Sequence, residues 1–186
     1  MATDIDICNS ALVFLGVETI TSLSDTTKQA VLCNLKYPKV KKRVLKAHPW
    51  NFTIIRETLS DNGNTPDHEF GFEFDMPTDC LRILQVYDYY DEFGYRIEAN
   101  KILANADTLK VKFIKEVDES EFTEDFAEVL ALELAIDLSY FLVQSEPVRA
   151  GLRQILAERL RDARSFDAQE GTPEDPNADL FLKARY

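Results

Sequence analysis

The sequence predicts an α+β fold: a helical bundle, formed by two N-terminal and two long C-terminal helices, with an inserted small antiparallel β-sheet domain. Apolar residues recur at helical spacing before residue 50 and again after residue 123, whereas between residues 52 and 114 they alternate with polar residues. We therefore expect a helical body from residues 1–50 and 116–167, a β insertion from residues 51–115, and a flexible C-terminal arm from residues 168–186.

The two N-terminal helices are predicted from capping residues and apolar periodicity. Thr3 begins the first helix with a capping box. Ser24 or Asp25 is expected to cap the second helix, which extends through residue 47. Because Pro38 removes one backbone donor, we expect a kink near this residue.

The stretch that follows the second helix is the expected boundary between the helical body and the β insertion. Pro49 disfavours helical dihedral angles at His48, so the helix should stop at about Ala47. Trp50, the only tryptophan in the chain, and Phe52 are large enough to anchor the junction. An active-site role for His48 beside the indole is the alternative. We favour a structural seam formed by Pro49, Trp50 and Phe52.

The β insertion is predicted from period-two alternation. Phenylalanine alternates with other residues over 70–74, and apolar residues alternate with lysine over 109–113, as in half-buried antiparallel strands. The remaining predicted strands are residues 53–59, residues 81–87 and a hairpin through residues 95–103 with its turn near Ala99–Asn100.

The two C-terminal helices are predicted to form an antiparallel pair. The third helix begins after Thr123 and is apolar on most sides, which is typical of a central, buried helix. The fourth, about residues 147–167, is amphipathic. If the pair turns about Glu146, Glu133 and Arg159 come level and form a partly buried ion pair that sets the register. The residues of the fourth helix expected to face inward are Val148, Leu152, Ile155, Leu156, Leu160 and Ala163.

Charge is distributed unevenly along the chain. The net charge is −12, which argues against wrapping nucleic acid over the whole surface. Residues 26–50 carry seven Lys/Arg and no acid, whereas residues 116–133 carry eight Asp/Glu and no base. These segments either join two copies head to tail or are merely solvated helix faces. The candidate interface residues are Lys39, Lys42, Arg43, Lys46, Glu121, Glu124 and Asp125.

No motif for catalysis or for cofactor binding is found. The three cysteines lack metal-site spacing and are expected to be reduced thiols of a protein made in the cytosol. His48 and His68 lack paired ligand spacing, and the six glycines are scattered. We predict no catalytic residue, no cofactor, no metal site, no signal peptide and no membrane span. A DNA-associated accessory protein and a small hydrolase without a recognisable motif stay open as alternatives.

The arm combines a polar, acidic, proline-broken stretch with an apolar end. Such a composition cannot build a core. The apolar end is expected to dock either on the same domain or on a partner. Its candidate docking residues are Leu180, Phe181, Leu182 and Tyr186.

Seven segments occur in an order found in one known family: Ile7–Gly16, Ile20–Asp25, Tyr37–Phe52 with its HPWNF end, Met76–Leu84 with the sequence MPTDCLRIL, Val111–Ile114, Phe126–Phe141 and Lys183–Arg185. With them the chain resembles the bacteriophage head-to-tail adaptor family that includes the tail tubular protein A of short-tailed phages. The segments span nearly the whole sequence, and HPWNF followed by PTDCLRIL is the most specific combination.

The resemblance implies a virion structural protein without catalysis or cofactor. Family members form a dodecameric ring under the portal, at the head–tail junction, and present a face to the next tail or nozzle protein. Their helices form the ring and their β insertion reaches towards the tail. An acidic channel would let double-stranded DNA pass during ejection without sticking. The resemblance further implies synthesis in the host cytoplasm and a C-terminal hook that grips the portal, and it transfers no chemical site residue.

Overall fold

The computed structural model describes residues 2–87 and 94–170. Over these ranges the chain has the predicted α+β class, with antiparallel strands inserted between helices. The helices are α1 Asp4–Phe14, α2 Lys28–Ala47, α3 Glu124–Leu142 and α4 Glu146–Gln169. The strands are β1 Ile54–Ser60, β2 Phe72–Asp75, β3 Cys80–Tyr87, β4 Arg96–Glu98, β5 Lys101–Ala104 and β6 Thr108–Lys115.

Helix starts follow side-chain caps. The capping box at Thr3 is present, as predicted. The predicted cap of α2 at Ser24 or Asp25 was wrong, because the Thr27 hydroxyl accepts a hydrogen bond from the Ala30 N–H and begins the helix there. Asp25 instead accepts hydrogen bonds from the backbone of the preceding turn. Helix α2 continues through its internal proline and ends at Ala47, where the sequence predicted its end.

The strands form two sheets rather than one. One has the order β1-β6-β3 and the other β2-β5-β4, and all described pairs are antiparallel. The turn after β2 includes Asp79 at φ 57° and takes the chain from one sheet to the other. The hairpin between β4 and β5 turns at Ala99 and Asn100, as predicted, with φ values of 45° and 62° that suit a tight hairpin. The shared core contains Leu59, Phe74, Ile102, Ala104, Leu109, Val111 and Phe113.

Helix α3 lies at the centre of the second core. It contacts α1, α2 and α4, which explains why its sequence is apolar on most sides. Helix α4 packs mainly on α3, so only Leu152 and Ala163 of its apolar residues are buried. The prediction that Val148 and Ile155 face inward was wrong, since they are 36% and 43% exposed.

The predicted ion pair between Glu133 and Arg159 does not form. The Arg159 Nε lies 3.2 Å from the Glu128 carboxylate, and the Glu133 carboxylate lies 3.0 Å from an Arg43 guanidinium nitrogen. The turn between α3 and α4 is centred near Gln144, at φ 54°, rather than at the later position that the sequence suggested. An earlier turn shifts the antiparallel register and gives Arg159 an earlier partner.

The C-terminal boundary also differs from the prediction. Helix α4 continues to Gln169, two residues beyond the predicted end at 167. The predicted docking residues Leu180, Phe181, Leu182 and Tyr186 lie outside the described residues. Within the described ranges, the structure contains no helix of the length and apolarity that crossing a bilayer requires.

Candidate functional site

The junction between α2 and β1 is built around Trp50. Its indole is only 1% exposed and meets Phe126 of α3 edge-on, with ring centroids 5.1 Å apart. The indole N–H donates to the Val44 carbonyl oxygen at 3.4 Å, which ties the ring to the last turns of α2. His48 is extended at φ −139°, as the following Pro49 requires.

Phe52 extends this aromatic cluster along α3. Its ring lies 6.4 Å from Trp50, 5.1 Å from Phe126 and 5.9 Å from Phe122. All four rings belong to the helical core, so Trp50 and Phe52 fasten the junction to α3 rather than bridging the helices and the sheets. On the sheet side, Leu81 of β3 packs against the helical core.

The same junction holds the end of α4. The Asp167 carboxylate accepts a hydrogen bond from the Asn51 N–H at 2.8 Å, and the Asp167 carbonyl oxygen accepts one from the Asn51 side-chain amide. A second carboxylate oxygen lies 3.5 Å from His48 Nε2. Two polar residues of the HPWN sequence therefore fix where α4 ends.

His48 is held mainly in its neutral form. Burial and the nearby Arg164 charge lower its pKa, and the opposing effect of the Asp167 carboxylate does not restore it. The imidazole also lies edge-on against Trp50, at 4.7 Å. The Asp167 carboxylate that faces His48 also accepts a hydrogen bond from Asn51, so His48 belongs to the contacts that join the end of α4 to this junction.

A second group of polar contacts joins α2 to the connector, which we define as residues 116–123 between β6 and α3. The Lys41 ammonium lies 2.8 Å from the Glu119 carboxylate, and the Tyr37 hydroxyl donates to the same oxygen at 2.8 Å. Lys42, the next residue of α2, lies 3.0 Å from Glu116. Lys41 is only 8% exposed, so the Glu119 carboxylate replaces part of the solvent that its ammonium group loses on burial.

These contacts change the ionisation of the groups involved. Burial alone would raise the pKa of Glu119, but hydrogen bonds from Lys41 and Tyr37 outweigh it and lower that pKa. Burial, together with the adjacent Glu119 carboxylate, raises the pKa of Tyr37 well above its ordinary value. The connector is thus held to α2 by a lysine, a carboxylate and a neutral phenol.

The basic and acidic segments of the sequence meet within one chain. Besides the connector contacts, Arg43 lies 3.0 Å from Glu133 and 3.2 Å from Asp137 on α3. Lys42 and Arg43 were candidates for contact with a neighbouring copy, but each has an acidic partner in its own chain. The two segments are therefore neither purely solvated faces nor wholly available to a second subunit.

The remaining candidate interface residues lie on the surface. Lys39 and Lys46 are exposed on α2, Glu121 is exposed in the connector, and Glu124 and Asp125 are exposed in the first turn of α3. None of the five has an ion-pair partner among residues 2–87 and 94–170. A cleft of about 560 Å³ lies beside Glu124, between α1 and the start of α3.

Sequence reasoning missed Lys41 and Asp167, and only Lys41 left a signal in the sequence. Lys41 recurs with Tyr37 and Val44 at the spacing of the buried face of α2, and a lysine on a buried face implies a partner. Asp167 follows the last arginine of an amphipathic helix, and only the tertiary structure shows that Asn51 lies beside it.

The described residues offer no group of three or more His, Cys, Asp or Glu side chains placed to hold a metal ion. Cys8, Cys33 and Cys80 are free thiols. Comparison with known protein families and with curated protein sequences finds no match to this chain.

Proposed function

We propose that the protein is a bacteriophage head-to-tail adaptor, a ring subunit that lies between the portal and the tail and forms a channel for DNA. The observation that carries the proposal is the ordered set of family-like segments, above all HPWNF followed by MPTDCLRIL. Both segments have defined structural roles in this fold. HPWNF ends α2, packs on α3 and leads into β1, and MPTDCLRIL contains the turn between the two sheets and most of β3.

The arrangement of two hydrophobic cores supports this proposal. The helical core is built around α3, whereas the second core lies between the two small sheets. A ring subunit needs a rigid part that packs on its neighbours and a part that extends to the next component. The helices suit the first task, and the strands suit contact with a downstream tail or nozzle protein.

Charge on the surface suggests how neighbouring subunits meet. Lys39 and Lys46 lack an acidic partner among the described residues, and Glu121, Glu124 and Asp125 lack a basic one. Complementary charges at the two sides of a subunit favour head-to-tail closure into a ring. Lys42 and Arg43 contribute less because their charges are already paired.

The overall charge suits a DNA channel. At −12 per subunit, an oligomeric ring repels the phosphate backbone and releases no counterions to favour binding. Double-stranded DNA then passes without being retained. In this proposal Leu180, Phe181, Leu182 and Tyr186 contact the portal, and the protein, made in the host cytoplasm, resides at the head–tail junction of the virion.

Electron microscopy of the protein mixed with the portal encoded by the same genome tests the proposal. We expect saturating protein to add a layer of density with the rotational symmetry of the portal. A portal particle unchanged by saturating protein would contradict the adaptor function.

A pair of matched variants tests the charged contact. Glu121→Lys with Asp125→Lys reverses two charges at the proposed subunit interface and should reduce ring formation on the portal. Glu57→Lys with Glu98→Lys reverses two exposed charges on the strands and should leave ring formation intact. Equal ring formation by both variants would remove these acids from the interface, and circular dichroism verifies that each variant is folded.

A further inference from the structure

The outward face of α2 carries two exposed apolar side chains followed by two lysines. Val31 and Leu35 are 54% and 55% exposed and lie one helical turn apart. Lys39 continues the same face one turn later, and Lys46 follows two turns after that. We call these four residues the α2 outer face.

The described part of the chain neither covers the apolar pair of the α2 outer face nor supplies acidic partners for its two lysines. Two large apolar side chains side by side in solvent mark a contact surface more often than an isolated one does. The three basic residues between the two lysines, Lys41, Lys42 and Arg43, all have acidic partners. Lys39 and Lys46 have none among residues 2–87 and 94–170, in a chain with a net charge of −12.

The C-terminal end of α4 lies next to the C-terminal end of α2. Asp167 is hydrogen-bonded to Asn51 and lies close to His48, just beyond the C-terminal end of α2. The chain that follows Glu170 therefore starts beside the end of α2 that carries Lys46.

The sequence after Glu170 matches the α2 outer face in order. Going away from α4, the acids come first, the apolar group Leu180–Leu182 follows, and residues 183–186 come after it. Going away from the same end of α2, the lysines come first and the exposed apolar pair comes last. The acids of this stretch are Glu174, Asp175 and Asp179.

The lengths also agree. Phe181 is eleven residues beyond Glu170 and can reach about 36 Å when extended. The helix from Lys46 back to Val31 spans about 22 Å. The difference leaves enough chain for a turn at Gly171–Pro173.

We propose that residues 171–186 of the free protein fold back onto the α2 outer face of their own chain. Their acids contact Lys46 and Lys39, and Leu180–Leu182 covers Val31 and Leu35. Attachment to α4 gives the segment an effective concentration on the order of millimolar, so modest contacts are sufficient. The inference concerns the free protein and does not depend on the adaptor function.

Site-specific photo-crosslinking in the full-length protein tests this docking. Phe181 is replaced by the photo-crosslinking residue p-benzoylphenylalanine, which keeps an aromatic ring at the anchor. Irradiation should give a crosslink within one chain, seen as a monomer on a denaturing gel. Peptide mapping should place it within residues 28–39.

Charge reversal on the α2 outer face should weaken the crosslink. Lys39→Glu with Lys46→Glu turns two attractions into repulsions, and we expect the yield to fall about fivefold or more. Arg56→Glu with Arg96→Glu makes the same change in net charge on exposed strand residues and should leave the yield unchanged. A comparable fall in both variants, or in neither, would overturn the proposed charge contacts.

A test variant and a control variant examine the apolar contact. Val31→Ser with Leu35→Ser should reduce the yield, whereas Val13→Ser, a change at a 64% exposed residue of α1, should not. A crosslink that appears mainly in dimers would show that the segment docks on a second copy. A crosslink that maps to Val148, Ile155 or Phe166 would show that the segment docks on α4. Either result, or crosslinks without a preferred peptide, would overturn the inference.

Discussion

At the scale of single residues, the junction after α2 depends on one large side chain and on hydrogen bonds around it. Trp50 fills the space between the end of α2 and α3, with Phe126 edge-on at 5.1 Å. The Thr53 hydroxyl donates to the Trp50 carbonyl oxygen at 2.7 Å and holds the turn that leads into β1. Asn51 reaches the other way, to the end of α4. One short stretch thus positions three helices and a strand.

Replacing Trp50 by alanine should be strongly destabilising. We expect the free energy of unfolding to fall by about 3–5 kcal/mol, because the change removes a buried aromatic ring and leaves a cavity. Urea denaturation followed by circular dichroism measures the loss. Phe166→Ala removes a ring that is 55% exposed and should cost no more than about 0.5 kcal/mol. A cost below about 1 kcal/mol for Trp50→Ala would place the main support of the junction elsewhere.

His48 should make stability depend on pH between about 7 and 5. Its pKa is lowered in the folded protein, whereas an unfolded histidine titrates near 6.5. As the pH falls through this range, the unfolded chain binds more protons than the folded chain, so the free energy of unfolding decreases. Lowered carboxylate pKa values, such as that of Glu119, act mainly below pH 5.

His48→Gln should therefore flatten the decline in unfolding free energy between pH 7 and pH 5. The measurement is a series of urea titrations at several pH values. His68→Gln, at the exposed second histidine, is the matched control and should retain the slope of the natural protein. An unchanged slope in His48→Gln would contradict the assigned role of burial and Arg164.

At the scale of elements, the connector between β6 and α3 is the part most dependent on charge. It has no buried apolar anchor of the size of Trp50. Instead it is held to α2 by Lys41, Lys42 and Tyr37. Lys41 also lies over the Phe122 ring, at 5.4 Å. The connector fixes where α3 begins, and α3 is the centre of the helical core.

Glu119→Gln should destabilise the protein through the buried lysine. The substitution keeps the shape but leaves the Lys41 ammonium without its counter-charge, and we expect a loss of about 1.5–3 kcal/mol. Asp118→Asn, a matched change at an exposed neighbour, should stay within about 0.5 kcal/mol. Equilibrium urea unfolding of the two variants provides the comparison. Equal stabilities would mean that the contact with Glu119 contributes nothing to folding.

Local signals explain which elements were predictable from the sequence. Pro49 restricts His48, so the end of α2 at Ala47 follows from sterics. Ala99–Asn100 lies between two short strands, so the hairpin follows from turn chemistry. The buried character of α3 follows from its all-round apolarity. Each of these predictions depends on residues that are neighbours in sequence.

Long-range packing explains what the sequence did not reveal. Lys41 and Glu119 are 78 residues apart, and Asn51 and Asp167 are 116 apart, so no local pattern relates them. The partner of Arg159 depended on the centre of the turn between α3 and α4, and a shift of that centre changed the pairing. The division of the strands into two sheets likewise follows from tertiary contacts.

At the scale of the whole molecule, the basic segment 26–50 and the acidic segment 116–133 form a charge pattern that neither segment reveals alone. The basic surface of α2 is largely neutralised by acids of the connector and α3. Lys39 and Lys46, together with the exposed acids Glu121, Glu124 and Asp125, therefore stay available for contact with other molecules. In the proposed ring they contact neighbouring subunits, and the overall negative charge keeps DNA from adhering.

Deleting residues 174–186 should weaken attachment to the portal without unfolding the protein. The deleted segment carries the candidate docking residues Leu180, Phe181, Leu182 and Tyr186, whereas the core residues that the structure describes all precede residue 170. Co-sedimentation with portal particles measures attachment, and thermal denaturation checks the fold. Unaltered attachment would exclude these residues as the portal contact.

The central claim is that this protein adds a ring to a portal, and native mass spectrometry tests it most directly. Portal particles from the same genome, saturated with the protein and freed of excess, should gain twelve times the 21.3 kDa subunit mass. Twelve copies correspond to one subunit for each portal subunit in the dodecameric arrangement that the resemblance implies. A portal particle whose mass does not change at saturating protein would contradict the adaptor function.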